Sequence, residues 1–428
     1  MTLMRPTPPR THARKTDCRS VFCIAVAIAT LLQWHLSRGT AWAQVRVTLD
    51  AAAVVARVQV RSPSLRAAES RVGVARAQGA GAGLLVRENP TLQVWGGPRV
   101  LPTGEVLPDV TVALLWPFDL SGSRTPRVAA ARLSLQAAEA EAEEARLQAV
   151  AEAIGRWLDV VASDAEAALV ARQVETNASI LQATERRQRL GVTGAEEAAV
   201  ARVSLATSQA ALALARGERQ ARLETLRAFL GYGEADAVEV TGSLDEPSPL
   251  SLDALRGAAA RHPTLRRGLR AVERAEAEAQ LQQRLSTPTP RVGLGGGREN
   301  EYYARVGVEV ALPVFQRNQL GVATSRAQLE VERAERGNLT ARVGSSLLSA
   351  WARYEAARES LAILTAAEPS AEEAAALAAR GFELGQRNLV ATLVVVRERV
   401  ALQRARLDAR VRVARARLDL QLAAGVLP

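Results

Sequence analysis

The chain carries one pattern twice. Leu49-Asp50-Ala51 opens a short helical stretch that runs to RSPSLRAAE, and Leu252-Asp253-Ala254 opens another that runs to RHPTLRRGL, so Pro63 matches Pro263. Pro117 in LLWPFDL matches Pro313 in VALPVFQ, Leu190-Gly191 matches Leu384-Gly385, and FLGYG at 229–233 matches AAGVL at 423–427. The offsets are 200, 196, 194 and 194 residues, a steady register that implies two copies of one structural unit.

Each unit reads as a short helix, two strands, a very long helix, a glycine-bearing reversal and a return helix. The first unit spans 44–231, with strands at about 90–97 and 109–118, a long helix at 123–190 and a return helix at 195–230. A linker at 232–249 leads to the second, 250–428, with strands at about 289–298 and 302–314, a long helix at 317–384 and a return helix at 388–424. The first long helix would reach about 100 Å at 1.5 Å per residue. Within it Leu147, Val150, Ile154, Trp157 and Val161 step by three and four, the spacing of a coiled-coil seam, and Leu347, Ala350, Tyr354, Ala357, Leu361 and Leu364 repeat it. Pro369 predicts a break in the second long helix, because it lacks an N–H and crowds the preceding turn. Gly191, Gly194 and Gly385 suit the left-handed geometry of helix reversals.

The strands alternate. Val306, Val308, Val310 and Leu312 are separated by Arg305, Gly307, Glu309 and Ala311, and Val110, Val112, Leu114 and Trp116 do the same in the first unit. This is the period of a strand with one apolar and one small or polar face. Trp95, Trp116, Phe118, Tyr302, Tyr303 and Phe315 gather at or near the expected strand ends, where interface aromatics sit in a membrane barrel. A soluble sheet capping a helical bundle is the other reading of the same pattern. Four strands cannot close a barrel, since the smallest membrane barrels have about eight.

Residues 1–43 differ from the rest. Arg5, Arg10, Arg14, Lys15 and Arg19 precede the apolar run VFCIAVAIATLL, and Ala41-Trp42-Ala43 follows, the order of a secretory signal with cleavage before Gln44. A membrane anchor is the competing reading, but the run is short of the roughly 20 residues a span needs. Cys18 and Cys23, the chain's two cysteines, fall inside this segment, so the remainder offers no disulfide or thiol chemistry.

Composition narrows the function classes. The chain is 48% hydrophobic but only 4% aromatic, material for helices packed through small residues rather than for a bulky core. The formal charge of +10 falls to about +5 without residues 1–43, and Arg and Glu alternate along helices, as at Arg397, Glu398 and Arg399. That is a solvated helix face and not a phosphate-tracking stripe, so no nucleic-acid partner is expected. His262 is the one histidine after residue 43, and no Cys/His cluster or nucleophile–base pair can form around it. GLGGG at 293–297 fails the dinucleotide spacing, since Arg298 stands at the last position. The expectation is a protein that is not an enzyme, with no catalytic residues, no resident metal and no cofactor.

The duplicated helix, hairpin, long helix and return helix resemble the TolC-like outer-membrane efflux family. WPFDLSGSR and LPVFQRNQLGVATSRAQLE are most similar to the branch that serves heavy-metal resistance pumps, the CzcC-type cation efflux channels. The resemblance implies a mainly α fold with a small β part, in a homotrimer whose twelve strands form one outer-membrane β-barrel and whose long helices form a periplasmic α-helical barrel. It implies a passive duct in the outer membrane of a Gram-negative bacterium, fed by an inner-membrane RND-type pump through a periplasmic adaptor (membrane fusion) protein.

By position, the tips that meet the adaptor are Arg189, Leu190, Gly191, Val192, Thr193 and Gly194, with Leu384, Gly385, Gln386, Arg387 and Asn388. Pro117 and Pro313 mark the strand-to-helix junctions. Some family members carry aspartates six and nine residues after the second tip glycine, where this chain has Ala391 and Val394. An apolar constriction formed by Leu389, Ala391, Leu393 and Val394 is expected instead of an acidic gate. A drug or small-molecule duct of the same family, and a periplasmic coiled-coil scaffold without a pore, are the alternatives.

Overall fold

The computed structural model describes residues 47–85, 88–233, 236–245, 248–298 and 301–427. The expected signal segment, with Cys18 and Cys23, lies outside the described residues. Internal packing divides the chain into two units. One comprises Met1–Val47 with Ala235–Ala237, in which the Val47 N–H donates to the Ala237 carbonyl at 2.9 Å. The other, Thr48–Glu234 with Val238–Pro428, holds the helices and the larger sheet.

In chain order the elements are β1 (Val47–Leu49), α1 (Ala51–Arg61), α2 (Pro63–Ala82), β2 (Thr91–Val100), β3 (Val106–Pro117), α3 (Arg124–Arg189), α4 (Ala195–Leu230), β4 (Val238–Val240), α5 (Leu252–Ala259), α6 (Pro263–Arg284), β5 (Arg291–Arg298), β6 (Tyr302–Glu309), α7 (Gln319–Glu383) and α8 (Leu389–Ala424). Each repeat therefore opens with two helices where the sequence suggested one. The matched prolines divide them: Pro63 and Pro263 occupy the first position of α2 and α6, where a missing N–H is no loss. His262 Nδ1 accepts from the Thr264 N–H at 3.1 Å and caps α6. The stretch expected to be a plain linker includes β4, which pairs with β1. It passes over Trp157, whose Nε1 donates to the Leu49 carbonyl at 3.3 Å.

The helices form a ribbon four across. Between the sheet and the middle of the molecule the packing order is α2, α3, α6, α7; beyond it, α4, α3, α8, α7. The antiparallel sheet repeats the order as β2, β3, β5, β6, so each strand continues in line with its helix. Leu147, Val150, Ile154, Trp157 and Val161 are all buried along α3, as the coiled-coil spacing requires. Leu347, Ala350 and Tyr354 are buried on α7, with Ala357 and Leu361 packed at the margin of the same core. Arg71–Glu141 (2.9 Å), Arg267–Glu144 (3.1 Å) and Arg333–Glu276 (3.0 Å) tie neighbouring helices at their solvated sides.

Three expectations need correction. The helix α7 runs unbroken through Pro369. The carbonyl that the proline leaves without an intrahelical donor belongs to Thr365, on an exposed stretch where water can serve it, and the flanks are strong helix formers. Ion pairs from α8 brace both sides: Arg406 meets Glu368, and Arg399 meets Glu372 at 3.5 Å. Second, β6 ends at Glu309, not near residue 314. Its one partner among the described residues, β5, begins at Arg291 opposite Glu309, so Val310 to Leu312 have nothing there to pair with. Trp95 also departs from the expected position at a strand end. The β2–β3 hairpin continues to Val100 and Val106, which leaves Trp95 at mid-strand.

Replacing Pro369 by Ala restores the hydrogen bond and removes the steric clash. Pro369→Ala should raise stability by about 1–3 kcal/mol, measured as a higher midpoint in detergent-solubilised thermal unfolding; an unchanged midpoint would show that the flanking ion pairs already absorb the defect.

Candidate channel wall and periplasmic tips

The four-stranded sheet has two unlike faces. Cross-strand register aligns Leu92, Leu114, Leu294 and Val306 in one row and Trp116, Val292 and Val308 in the next, so the apolar alternation of single strands becomes a stripe across the sheet. These side chains are uncovered: Val306 is 75% exposed, Leu294 62% and Val94 61%. The reverse face carries Gln93, Thr111, Arg291, Arg305 and Glu309, with Arg291 and Glu309 paired at 3.5 Å.

Glycine in β5 serves that second face. Trp95, Thr111, Gly297 and Tyr303 lie in one row, and the Tyr303 hydroxyl crosses over β5 to bond Thr111 Oγ1 at 2.7 Å. A Cβ on Gly297 would stand 2.7 Å from that hydroxyl, so only glycine lets the ring lie across the strand. The Arg305 guanidinium stacks on the outer side of the ring, 4.2 Å from its centroid. At the other end Leu115 fills the space left by Gly293 and is 7% exposed. GLGGG is therefore a docking groove for neighbouring side chains.

Below the strands, the two resembling motifs build the junctions. After Pro117, Asp119 accepts from the Ser121 hydroxyl (2.5 Å), the Ser121 N–H (3.0 Å) and the Ser123 hydroxyl (2.6 Å), which turns the chain into α3. Burial pushes the Asp119 carboxyl up, but these donors and the Arg127 guanidinium outweigh it and hold the pKa below the usual aspartate value. After Pro313, Asn318 adopts a left-handed backbone (φ 55°), which asparagine tolerates, and its Nδ2 donates to the Gln282 carbonyl at 2.8 Å. Arg317 Nε donates to the Pro313 carbonyl at 3.1 Å and closes the turn into α7.

At the far end, residues 190–194 and 384–388 are the two reversals, and their side chains are mostly exposed. Gly191 (φ 71°) and Gly385 (φ 78°) take the left-handed step, and the Asn388 side chain caps α8 through the Ala391 N–H at 2.8 Å. The reversals are locked together. Arg187 of α3 stacks on Phe382 of α7 at 4.7 Å and donates to its carbonyl. Ile180, Ala201, Phe382, Leu389, Leu393 and Val396 share one core beneath them. Leu389 (0% exposed) and Leu393 (5%) thus point inward and are not at a surface that could narrow a passage. Their position on the α8 side that meets α3 decides this. Val394 is exposed and Ala391 partly so. Sequence alone did not single out Arg187 or Phe382; one of only five phenylalanines, close to a tip, was the available signal.

A long helical ribbon continuing into a sheet with a bare apolar face is a fold that solved outer membrane proteins share. Residues 107–232 match the family described as "Outer membrane efflux protein", and the chain carries that domain. It is homologous to the cobalt-zinc-cadmium resistance protein CzcC of Cupriavidus metallidurans, 27% identical over 65% of this chain and 68% of that one. The nickel-cobalt-cadmium resistance protein NccC of Alcaligenes xylosoxydans xylosoxydans is 26% identical over 77% of this chain and 76% of its own. The fold is that of the outer membrane protein VceC of Vibrio cholerae, with a TM-score of 0.73 at 18% identity, covering 88% of this chain and 96% of VceC.

A lowered carboxyl pKa stabilises the fold above the unfolded value of about 3.9, and the gain disappears as pH falls through the folded value. Asp119→Asn should therefore cost about 1–2 kcal/mol near neutral pH and progressively less as the pH falls below the unfolded value, read as the difference between the two proteins' unfolding midpoints; a pH-independent difference would assign the loss to geometry alone.

Proposed function

We propose that the chain is the outer-membrane component of a tripartite efflux system, a homotrimer that passively conducts metal cations from an inner-membrane pump and a periplasmic adaptor to the exterior. The observation that carries this reading is the sheet: a continuous exposed apolar face opposite a polar one, with both edge strands, β2 and β6, open. Unpaired backbone groups at an edge are costly in a membrane, so the strands must pair with other copies until a barrel closes. Three copies supply twelve strands and a helical tunnel of the same width. The apolar face then meets lipid, and Gln93, Thr111 and Arg305 meet the water of the lumen.

The duct needs no energy source, no cofactor and no ligand site. The reversals at 189–194 and 384–388 are its periplasmic end, where the adaptor docks. Of the residues expected to narrow the passage, Ala391 and Val394 keep that role, since Leu389 and Leu393 are committed to the tip core. Metal cargo rests on the CzcC and NccC likeness.

Membrane fractionation with unboiled electrophoresis tests the duct: it should run as a detergent-resistant trimer from the outer membrane, and a soluble monomer would favour the scaffold alternative. Cargo is tested by deleting the gene. Cellular cobalt, zinc, cadmium or nickel should rise several-fold on metal challenge; unchanged metal content with new sensitivity to drugs would establish the small-molecule alternative.

A further inference from the structure

The apolar face of the sheet carries a single charge. Cross-strand register puts Arg298 on the same face as Val112, Leu294 and Val306, and the remaining described positions of that face in the four strands are Gly, Ala, Val, Leu, Pro, Trp or Tyr. Arg298 stands in the row Gly96, Val110, Arg298 and Tyr302. Its partner among the described residues is the Tyr302 ring, whose centroid lies 5.7 Å from the guanidinium carbon. That ring is itself 84% exposed.

The position of this charge is specific. Arg298 ends β5 on the side of the sheet remote from the helices, since α6 leads into β5 at Arg291 and β6 leads out towards α7. It is six residues from Val292, which shares a row with Trp116. That separation is about 20 Å along the strand, or about 16 Å of height at a barrel tilt near 40°. With Trp116 as the inner girdle of an apolar band about 25 Å tall, Arg298 falls in the outer half, within reach of the outer headgroups. A permanent cation facing lipid there is costly unless an anion meets it. Below the guanidinium, Gly296 and Ala304 lie side by side on the same face and leave the sheet surface low. A Cβ on Gly296 would stand 2.8 Å from the Tyr303 carbonyl oxygen, so this recess is fixed by the backbone.

We propose that Arg298 and Tyr302 form a binding site for a phosphorylated glycolipid of the outer leaflet. The guanidinium takes a headgroup phosphate through two parallel hydrogen bonds, the geometry in which arginine exceeds lysine. The Tyr302 ring lies beside it at the boundary of hydrocarbon and water, where an aromatic with a polar tip is favoured. An acyl chain then descends over Gly296 and Ala304. Strand β5 is flanked by β3 and β6 of its own chain, so each copy holds a whole site. The inference rests on the reading of the sheet as a barrel wall and gives that wall a particular lipid.

Native mass spectrometry of full-length trimers, extracted in mild detergent and offered lipid A, tests the site. The wild type should retain lipid A about tenfold more strongly than Arg298→Leu. Arg298→Lys should fall between them, because lysine keeps the charge without the fork. Removing the phosphates from lipid A should bring the wild type down to the level of Arg298→Leu and leave that variant unchanged. The substitution adds an apolar side chain to an apolar face, and the trimer band on unboiled gels reports independently that the barrel has formed. Equal retention by wild-type and Arg298→Leu trimers, or retention of phosphatidylglycerol in preference to lipid A, would overturn the site and leave the duct reading standing. Absence of trimers from both proteins would overturn the duct reading and the site with it.

Discussion

Everything in this molecule depends on a sheet that one chain cannot complete. Four antiparallel strands present a bare apolar face and two open edges. In water such a sheet would invite aggregation through its unpaired backbone groups, and in a bilayer those groups have no water to satisfy them. Closing the sheet on further copies, with the apolar face outward in lipid, resolves both problems at once. The glycine groove of β5 serves the sheet itself, because it lets Tyr303 lie flat on the polar face and tie β6, an edge strand, to β3.

The helices inherit the constraint. Because strand order and helix order agree from β2 with α2 to β6 with α7, a sheet that continues into the next copy obliges the helical ribbon to continue as well. The duplication makes this geometrically simple. Each repeat contributes the same hairpin and the same helical pair, so a junction built by Asp119 and its serines in one repeat is built by Arg317 and Asn318 in the other. Different chemistry produces the same turn, which is why the prolines align and the residues after them do not.

Much of this was legible in the sequence. Pro63 with Pro263, and Leu190-Gly191 with Leu384-Gly385, exposed the duplication because helix starts and reversals demand particular residues. The buried seam of α3 followed from its three-and-four spacing. Other features depend on neighbours that periodicity does not name. Leu389 and Leu393 share a helix face, but whether that face meets α3 or a passage is a tertiary fact, and it meets α3. Pro369 carried a local preference that the surrounding 65-residue helix overrode. The end of β6 was set by where β5 begins, and GLGGG acquired a purpose only once Tyr303 was seen to lie over it.

The central claim, that one face of the sheet meets lipid and the other water, is tested most directly by spin labels in reconstituted bilayers. Labels at Val94, Val112, Leu294 and Val306 should be relaxed by oxygen and shielded from a water-soluble nickel chelate, while labels at Gln93, Thr111 and Arg305 should show the reverse. Equal access of the chelate to both sets would contradict the account, because the sheet would then be a solvated cap rather than the wall of a pore.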